Sequence, residues 1–333
     1  MKTYTVAILG VTGAVGQEML QVLQERDFPV KKLVPLASGR SAGSTVTFRG
    51  EAIPIQEACA ASFAGVDIVL GAAENDIAIA LAPAIRKAGA VFIDNSSAFR
   101  MDPNVPLVVP EVNGADAASH NGIISNPNCT TAITLTAVQP LRQLGQIHSM
   151  VASSYQAVSG AGVAGPVELE KQMAAYSHGQ PLERQVFPYQ ILCNLIPQIG
   201  PEQEEGYTAE EMKLHYEGRK ILHLPQLNVS CTCVRVPVMR SHSISVRITF
   251  DRPVSVEDAR KLLADAPGCR LVDDLGKLQY PMPLDATAQD LVLVGRLRKD
   301  LSDPCSLNLW CCGDQLRKGA ATNAIQIAEI LIR

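Results

Sequence analysis

A short apolar run, residues 4–9, ends in Gly10-Val11-Thr12-Gly13-Ala14-Val15-Gly16, and residues 17–24 continue as an amphipathic helix. Strand, glycine turn and helix at the head of a chain restrict the fold more than any other feature of this sequence, because together they open a βαβ unit. Glycines make the turn tight and let backbone amides at the helix start face a pyrophosphate. The spacing G-x-x-G-x-x-G differs from G-x-G-x-x-G, and an ordinary turn also uses glycine. Its place after the first strand favours a nucleotide loop built from Gly10, Thr12, Gly13, Ala14, Val15 and Gly16.

A second strand, residues 33–37, runs into Ser38-Gly39-Arg40-Ser41-Ala42-Gly43. NAD-binding folds place an acid here for the ribose hydroxyl, whereas an arginine accommodates a 2′-phosphate. The nearby acids, Glu25 and Asp27, precede the strand. Ser38, Arg40 and Ser41 therefore read as a phosphate pocket that favours NADP over NAD, the alternative being a solvated turn. Strand-like residues 67–71 and 90–93 flank a helical stretch at 77–87, which continues the alternation of a parallel sheet. Arg100 follows the second of these strands in Asp94-Asn95-Ser96-Ser97-Ala98-Phe99-Arg100. Ligands of open α/β sheets lie beyond strand carboxyl ends, which makes Arg100 an anion clamp by position and otherwise a surface arginine.

Ser125-Asn126-Pro127-Asn128-Cys129-Thr130-Thr131 leads into the apolar-periodic residues 132–144. Asn and Pro are helix-start residues, so Cys129 falls in a first helical turn. Unpaired amides and the positive dipole end favour thiolate there. Cys129 is thus a candidate nucleophile; the other reading is a small buried hydrophobe. The cysteine total of nine is odd, C-x-x-C is absent, and Cys311 and Cys312 are adjacent, so no disulfide framework is expected. Cys231 and Cys233 share a strand face without a zinc pattern, and no structural metal is expected.

A thiol nucleophile needs an acid–base partner, and the chain has six histidines. His120 and His178 lie in polar or glycine-flanked loops, His148 enters a strand, and His215 and His223 fall in or after an exposed helix. His242 joins two strands, with Arg235 and Arg240 nearby to lower its pKa, and is the leading candidate. The second half differs in character from the first. Strand residues 147–155 lead into Gln156-Ala157-Val158-Ser159-Gly160-Ala161-Gly162, where small residues, Ser159 and Gly160 among them, let backbone approach a ligand. Helices at 209–222 and 256–265 and strands at 228–236, 243–250, 291–298 and 306–312 suggest an α+β domain with a mixed or antiparallel sheet. The last helix, residues 323–332, is apolar enough to dock on the first domain. The expected domains are residues 1–128 with 314–333, and residues 129–313.

With 47% hydrophobic and 19% charged residues, the 333-residue chain has material for two cores. A net charge of −4 gives no general attraction to nucleic acid or anionic lipid. No apolar run approaches a membrane span, and Met1-Lys2-Thr3-Tyr4 passes directly into a strand, so neither a signal peptide nor a membrane is expected and a cytoplasmic location is.

Several ordered motifs resemble the aspartate-β-semialdehyde dehydrogenase family over essentially the whole chain. They are Gly10 to Gly16, Ser38 to Gly43, Asn95 to Arg100, Asn126 to Thr131, Tyr155 to Gly162, Glu210-Glu211-Met212-Lys213, Arg235 to His242, and Leu316-Arg317-Lys318-Gly319-Ala320-Ala321. The resemblance implies a Rossmann-type parallel-sheet domain that binds NADP(H), and an α+β catalytic and dimerisation domain. It implies Cys129 as nucleophile, His242 as acid–base and Gln156 as the residue that orients the acyl intermediate. Arg235 would grip a substrate carboxylate and Glu210 its amine, while Arg100, Lys213 and Asn128 would hold phosphate. The family's Asp-Asn-Leu-Arg-Lys run is Asp314-Gln315-Leu316-Arg317-Lys318 here, so Gln315 lengthens the amide placed at nicotinamide. The activity implied is NADPH-dependent reductive dephosphorylation of L-4-aspartyl phosphate to L-aspartate 4-semialdehyde through a Cys129 thioester. It would serve lysine, threonine, methionine and isoleucine synthesis in a homodimer, or in a tetramer of paired dimers. A reductase of N-acetylglutamyl phosphate is the nearest rival; its uncharged amide would leave Glu210 without a counter-ion. A non-catalytic paralogue would have no use for Cys129, Gln156, Arg235 and His242 together.

Overall fold

The alternate residues of Tyr4–Leu9 serve two cores at once. Val6 and Ile8 pack with Met19, Leu23, Ile325 and Ile327, whereas Ala7 and Leu9 pack with Phe63, Ala78, Ile85 and Phe92. Such a strand, covered on both faces, belongs in the middle of a parallel sheet, and each large apolar side chain it buries contributes about 1.5–3 kcal/mol. The computed structural model, which describes residues 2–333, places it so. The strands run in the order Gln56–Glu57, Val30–Ala37, Tyr4–Leu9, Ile68–Gly71, Val91–Asp94 and Ile123–Ser125, each parallel to its neighbour. This is the doubly wound dinucleotide order, and its switch point falls between Tyr4–Leu9 and Ile68–Gly71. The glycine turn sits at that point, leading into the helix Ala14–Glu25.

The chain divides into two compact units, Met1–Asn128 with Ala320–Arg333, and Cys129–Gly319. The C-terminal helix, Thr322–Ile332, supplies Ile325 and Ile327 to the first unit's core. The return begins at Ala320 rather than at 314, because the preceding residues are tied inside the second unit. Asp314 pairs with Arg240, and Arg317 with Asp290.

The second unit is built on a mixed sheet in the order Asn228–Arg235, Ile147–Gln156, His242–Phe250, Ser306–Gly313, Val292–Lys299 and Cys269–Leu271. The two outer pairings are parallel and the inner ones antiparallel. The helix Cys129–Val138 is buried from Thr130 to its end, as an all-round apolar helix must be. It stops well short of residue 144. Pro140 cannot continue an α-helix, and Gln139–Gln143 tightens into a 3-10 turn.

Some elements carry no legible pattern. Gln56–Glu57 and Ile123–Ser125 are too short to show a period. The helix Ala164–Ser177 buries Gly165, Glu168, Leu169 and Gln172, so its inner face is largely polar and lacks an apolar stripe. Among the described residues, no helix is long and apolar enough to cross a membrane.

Candidate active site

In the first unit, Gly13 caps the helix Ala14–Glu25, and Gly10 holds the turn at φ +86. A Cβ at Gly10 would lie 2.5 Å from the Ala72 carbonyl oxygen, so this cradle closes only around glycine. The residues present fit a dinucleotide. Ser38, Gly39 and Arg40 are exposed at the end of Val30–Ala37, and Ser41 N–H donates to Ser38 O at 2.9 Å to close their turn. Sequence reasoning missed a carboxylate at this place. Strand pairing sets Ala37 opposite Glu57, and Glu57 Oε1 lies 3.0 Å from where a Cβ on Gly39 would stand. Only the sheet brings that acid to the turn.

Arg100 is not a surface residue. It is buried, with Nε donating to Asn126 O at 2.9 Å and Nη2 to Asn95 O at 2.7 Å. Those carbonyls lie beyond the carboxyl ends of Val91–Asp94 and Ile123–Ser125, and Asn128, also buried, is the last residue before the unit boundary.

Cys129 opens its helix in the second unit and is half-buried. The sheet gathers the remaining candidates of this unit. Gln156 ends Ile147–Gln156 with Nε2 at 3.0 Å from Thr130 Oγ1 and 3.2 Å from Glu210 Oε1. Thr130 is the residue next to Cys129, so the amide is fixed beside the thiol's helix turn. Glu210 stands in the first turn of Ala209–Leu222, which starts at a reciprocal Thr208–Glu211 capping box. Its Oε2 receives Lys213 Nζ at 2.8 Å, one helical turn on.

Ala157 anchors both remaining groups through its main chain. Its N–H donates to His242 Nδ1 at 3.1 Å, and its carbonyl accepts from Arg235 Nη1 at 2.7 Å. Arg235 closes Asn228–Arg235 and His242 begins His242–Phe250; both side chains are buried. A Cβ on Gly160 would lie 2.6 Å from Arg235 Nη1 and 3.2 Å from His242 Nε2, so a bare backbone at Gly160 leaves space for both. Nδ1 accepts, so the neutral ring carries its proton on Nε2, and Nε2 has no hydrogen-bond partner among the described residues. Burial first, and the Arg235 charge second, lower the His242 pKa to about 3. The expected direction holds, but Arg240 is not a cause: its guanidinium is neutralised by Asp314 at 2.7 Å. Burial also lowers the Arg235 pKa, opposed by the charges of Glu210 and Cys129.

Gln315 is buried with both ends of its amide engaged. Nε2 donates to Ser159 Oγ, and Oε1 accepts from Ser241 N–H at 2.8 Å. Gly319 lies against the thiol residue, and a Cβ there would stand 2.7 Å from Cys129 Cβ and 3.2 Å from its Cα. Gly319→Ala is therefore expected to displace Cys129 and lower kcat about 10²-fold, the usual cost of misplacing a reacting group by about 1 Å. Alkylation of Cys129 should slow in parallel while circular dichroism stays unchanged; normal turnover would mean that the methyl is absorbed elsewhere.

The sheet order of the first unit is that of a dinucleotide-binding domain, and the second unit carries a buried imidazole–guanidinium–carboxylate cluster beside a helix-start thiol, the makings of a two-unit oxidoreductase. Residues 5–120 match the family "Semialdehyde dehydrogenase, NAD binding domain" and residues 138–318 match "Semialdehyde dehydrogenase, dimerisation domain". Aspartate-semialdehyde dehydrogenase of Synechocystis is 50% identical over 327 residues, covering 98% of this chain and 97% of the relative. The Bacillus subtilis protein of that name is 49% identical over 334 residues, with 98% and 96% covered. The crystal structure of aspartate semialdehyde dehydrogenase II complexed with ASA, from Vibrio cholerae, superposes with a TM-score of 0.96 at 43% identity, covering 100% of this chain and 99% of that one. A Candida albicans aspartate semialdehyde dehydrogenase with NADP superposes with a TM-score of 0.76 at 25% identity, with 99% of each chain covered. This chain belongs to the aspartate-semialdehyde dehydrogenase family.

Proposed function

We propose that the protein interconverts L-4-aspartyl phosphate and L-aspartate 4-semialdehyde with NADP(H), through a thioester on Cys129. The observation that carries this reading is the Ala157 main chain holding His242 and Arg235 together, in the unit that Cys129 opens. In the reductive direction the Cys129 thiolate attacks the acyl phosphate carbonyl, phosphate leaves, and a thioester remains. When bound, the nicotinamide cofactor supplies the hydride equivalent that reduces the thioester carbon. His242, neutral with a proton on an Nε2 that has no partner among the described residues, donates a hydrogen bond to the oxygen that gathers charge in the tetrahedral species. As that species collapses, the C–S bond breaks, the aldehyde C=O forms and the Cys129 thiolate is returned. Gln156, fixed through Thr130 and Glu210, orients the acyl group.

Arg235 offers a guanidinium to the substrate carboxylate, and Glu210 offers its carboxylate to the ammonium. Lys213 already shares Glu210 and, with Arg100 and Asn128, is assigned to phosphate. Gly10, Thr12, Gly13, Ala14, Val15 and Gly16 would hold the pyrophosphate, and Ser38, Arg40 and Ser41 the 2′-phosphate. Ser159, Gly160 and Gln315 are assigned to the nicotinamide end. The dimerisation-domain match supports a homodimer; a tetramer of two dimers, a cytoplasmic setting and a role in the synthesis of the aspartate-derived amino acids belong to the same proposal.

Protein incubated with the semialdehyde, phosphate and NADP should produce the NADPH absorbance band. Absence of the band with NADP and NAD alike would refute the reaction, and turnover of N-acetylglutamate semialdehyde instead would favour the rival substrate. Arg40→Ala should weaken NADPH about ten- to a hundredfold, the worth of a hydrogen bond to a charged group, and NADH far less. Equal losses in a direct titration would move the 2′-phosphate site elsewhere.

A further inference from the structure

The residue before His242 holds an uncommon backbone conformation. Ser241 has φ +75, a region that glycine adopts freely and serine does not. It is buried and held at two points. Its N–H donates to Gln315 Oε1 at 2.8 Å, and its Oγ lies 3.0 Å from Thr287 Oγ1. The other end of the Gln315 amide donates to Ser159 Oγ, in the turn Val158–Ala161. That turn follows Ala157, whose N–H holds His242 Nδ1.

One side chain thus spans the two backbone segments that determine the imidazole: the residue that sends it into the sheet and the turn next to its anchor. We infer that Gln315 is a positioning residue for His242, locking Ser241 in the left-handed conformation so that Nε2 faces the reacting oxygen. The inference rests on the proposed acid–base role of His242. An asparagine, shorter by a methylene, cannot reach Ser159 Oγ and Ser241 N–H together, although it keeps an amide for any direct contact with the cofactor.

The variants Gln315→Asn and Gln315→Asn/Ser241→Gly separate the two roles, with circular dichroism confirming that each is folded. Gln315→Asn should lower kcat about tenfold, while the NADP dissociation constant, measured by direct titration, stays within about twofold. Glycine at 241 adopts the positive φ without the strut, so the double variant should recover most of the lost kcat. Unchanged kcat in Gln315→Asn, weakened NADP binding with kcat intact, or no recovery by Ser241→Gly would each overturn the inference. A parallel His242→Ala variant distinguishes the failures. If it too turns over normally, the acid–base reading falls; if it is inactive while Gln315→Asn is normal, only the positioning role falls.

Discussion

Cys129→Ala is expected to lower kcat by at least about 10⁴-fold while the dinucleotide binds as tightly as before. Losing the nucleophile of a covalent mechanism costs this much or more, because the remaining groups can still bind and polarise but no acyl–enzyme can form. Cofactor affinity should survive because Cys129 is not among the residues assigned to the dinucleotide, most of which, the glycine turn and the Ser38–Arg40–Ser41 loop, belong to the first unit. Residual turnover within about tenfold of the parent would remove Cys129 as nucleophile. A companion measurement is site-resolved alkylation by mass spectrometry, since bulk thiol counting would mislead. Cys59 and Cys193 are exposed, and hydrogen bonds from Ser62 and the local backbone lower the Cys59 pKa, so it competes for the reagent. Burial pushes the Cys312 thiol up to about 11 and Cys311 well above its ordinary value, and both should stay unlabelled. An unreactive Cys129 in the folded protein would be as damaging as retained turnover.

His242→Ala should lower kcat about 10²- to 10⁴-fold, the range for removing a positioned proton donor. The wild-type pH profile should differ from that of an ordinary histidine enzyme. With a pKa of about 3, the ring is neutral throughout the neutral range, so no acid limb near 6.5 should be assignable to it in the free enzyme. Such a limb, present in the parent and absent from the variant, would show that the ring charges in the folded state. Stability carries the same signature. The folded value lies below the unfolded one near 6.5, so His242 contributes fully above about pH 6.5, and that contribution is lost as pH falls toward about 3. Urea unfolding at pH 7 and at pH 4.5 should therefore show a larger acid loss for the parent than for His242→Gln, and equal losses would contradict the buried neutral ring.

The elements most legible in sequence were those whose side chains alternate or repeat against a core. Tyr4–Leu9, closed by its glycine turn, and the helix Ala209–Leu222 lie at the bounds expected from the sequence. After Cys129 the apolar residues run past Pro140, but the α-helix does not. The Ala164–Ser177 helix was invisible because Glu168 and Gln172 face inward, each bonded to the backbone of residues 183–192 rather than packed as an apolar stripe.

Local chemistry is what the amino-acid order determined by itself: a glycine turn after a first strand, a cysteine at a helix start, an arginine where an acid would mark NAD. These depend on neighbours in the chain, so adjacency in sequence is enough. Only the tertiary structure decided which distant groups share space and in what state. Strand register brings Glu57 to Gly39. A single peptide at Ala157 binds His242 and Arg235, burial takes the proton affinity of His242 far below its ordinary value, and Asp314 neutralises Arg240. Desolvation and hydrogen bonding act through contacts between residues far apart in the chain, and no spacing or composition encodes them.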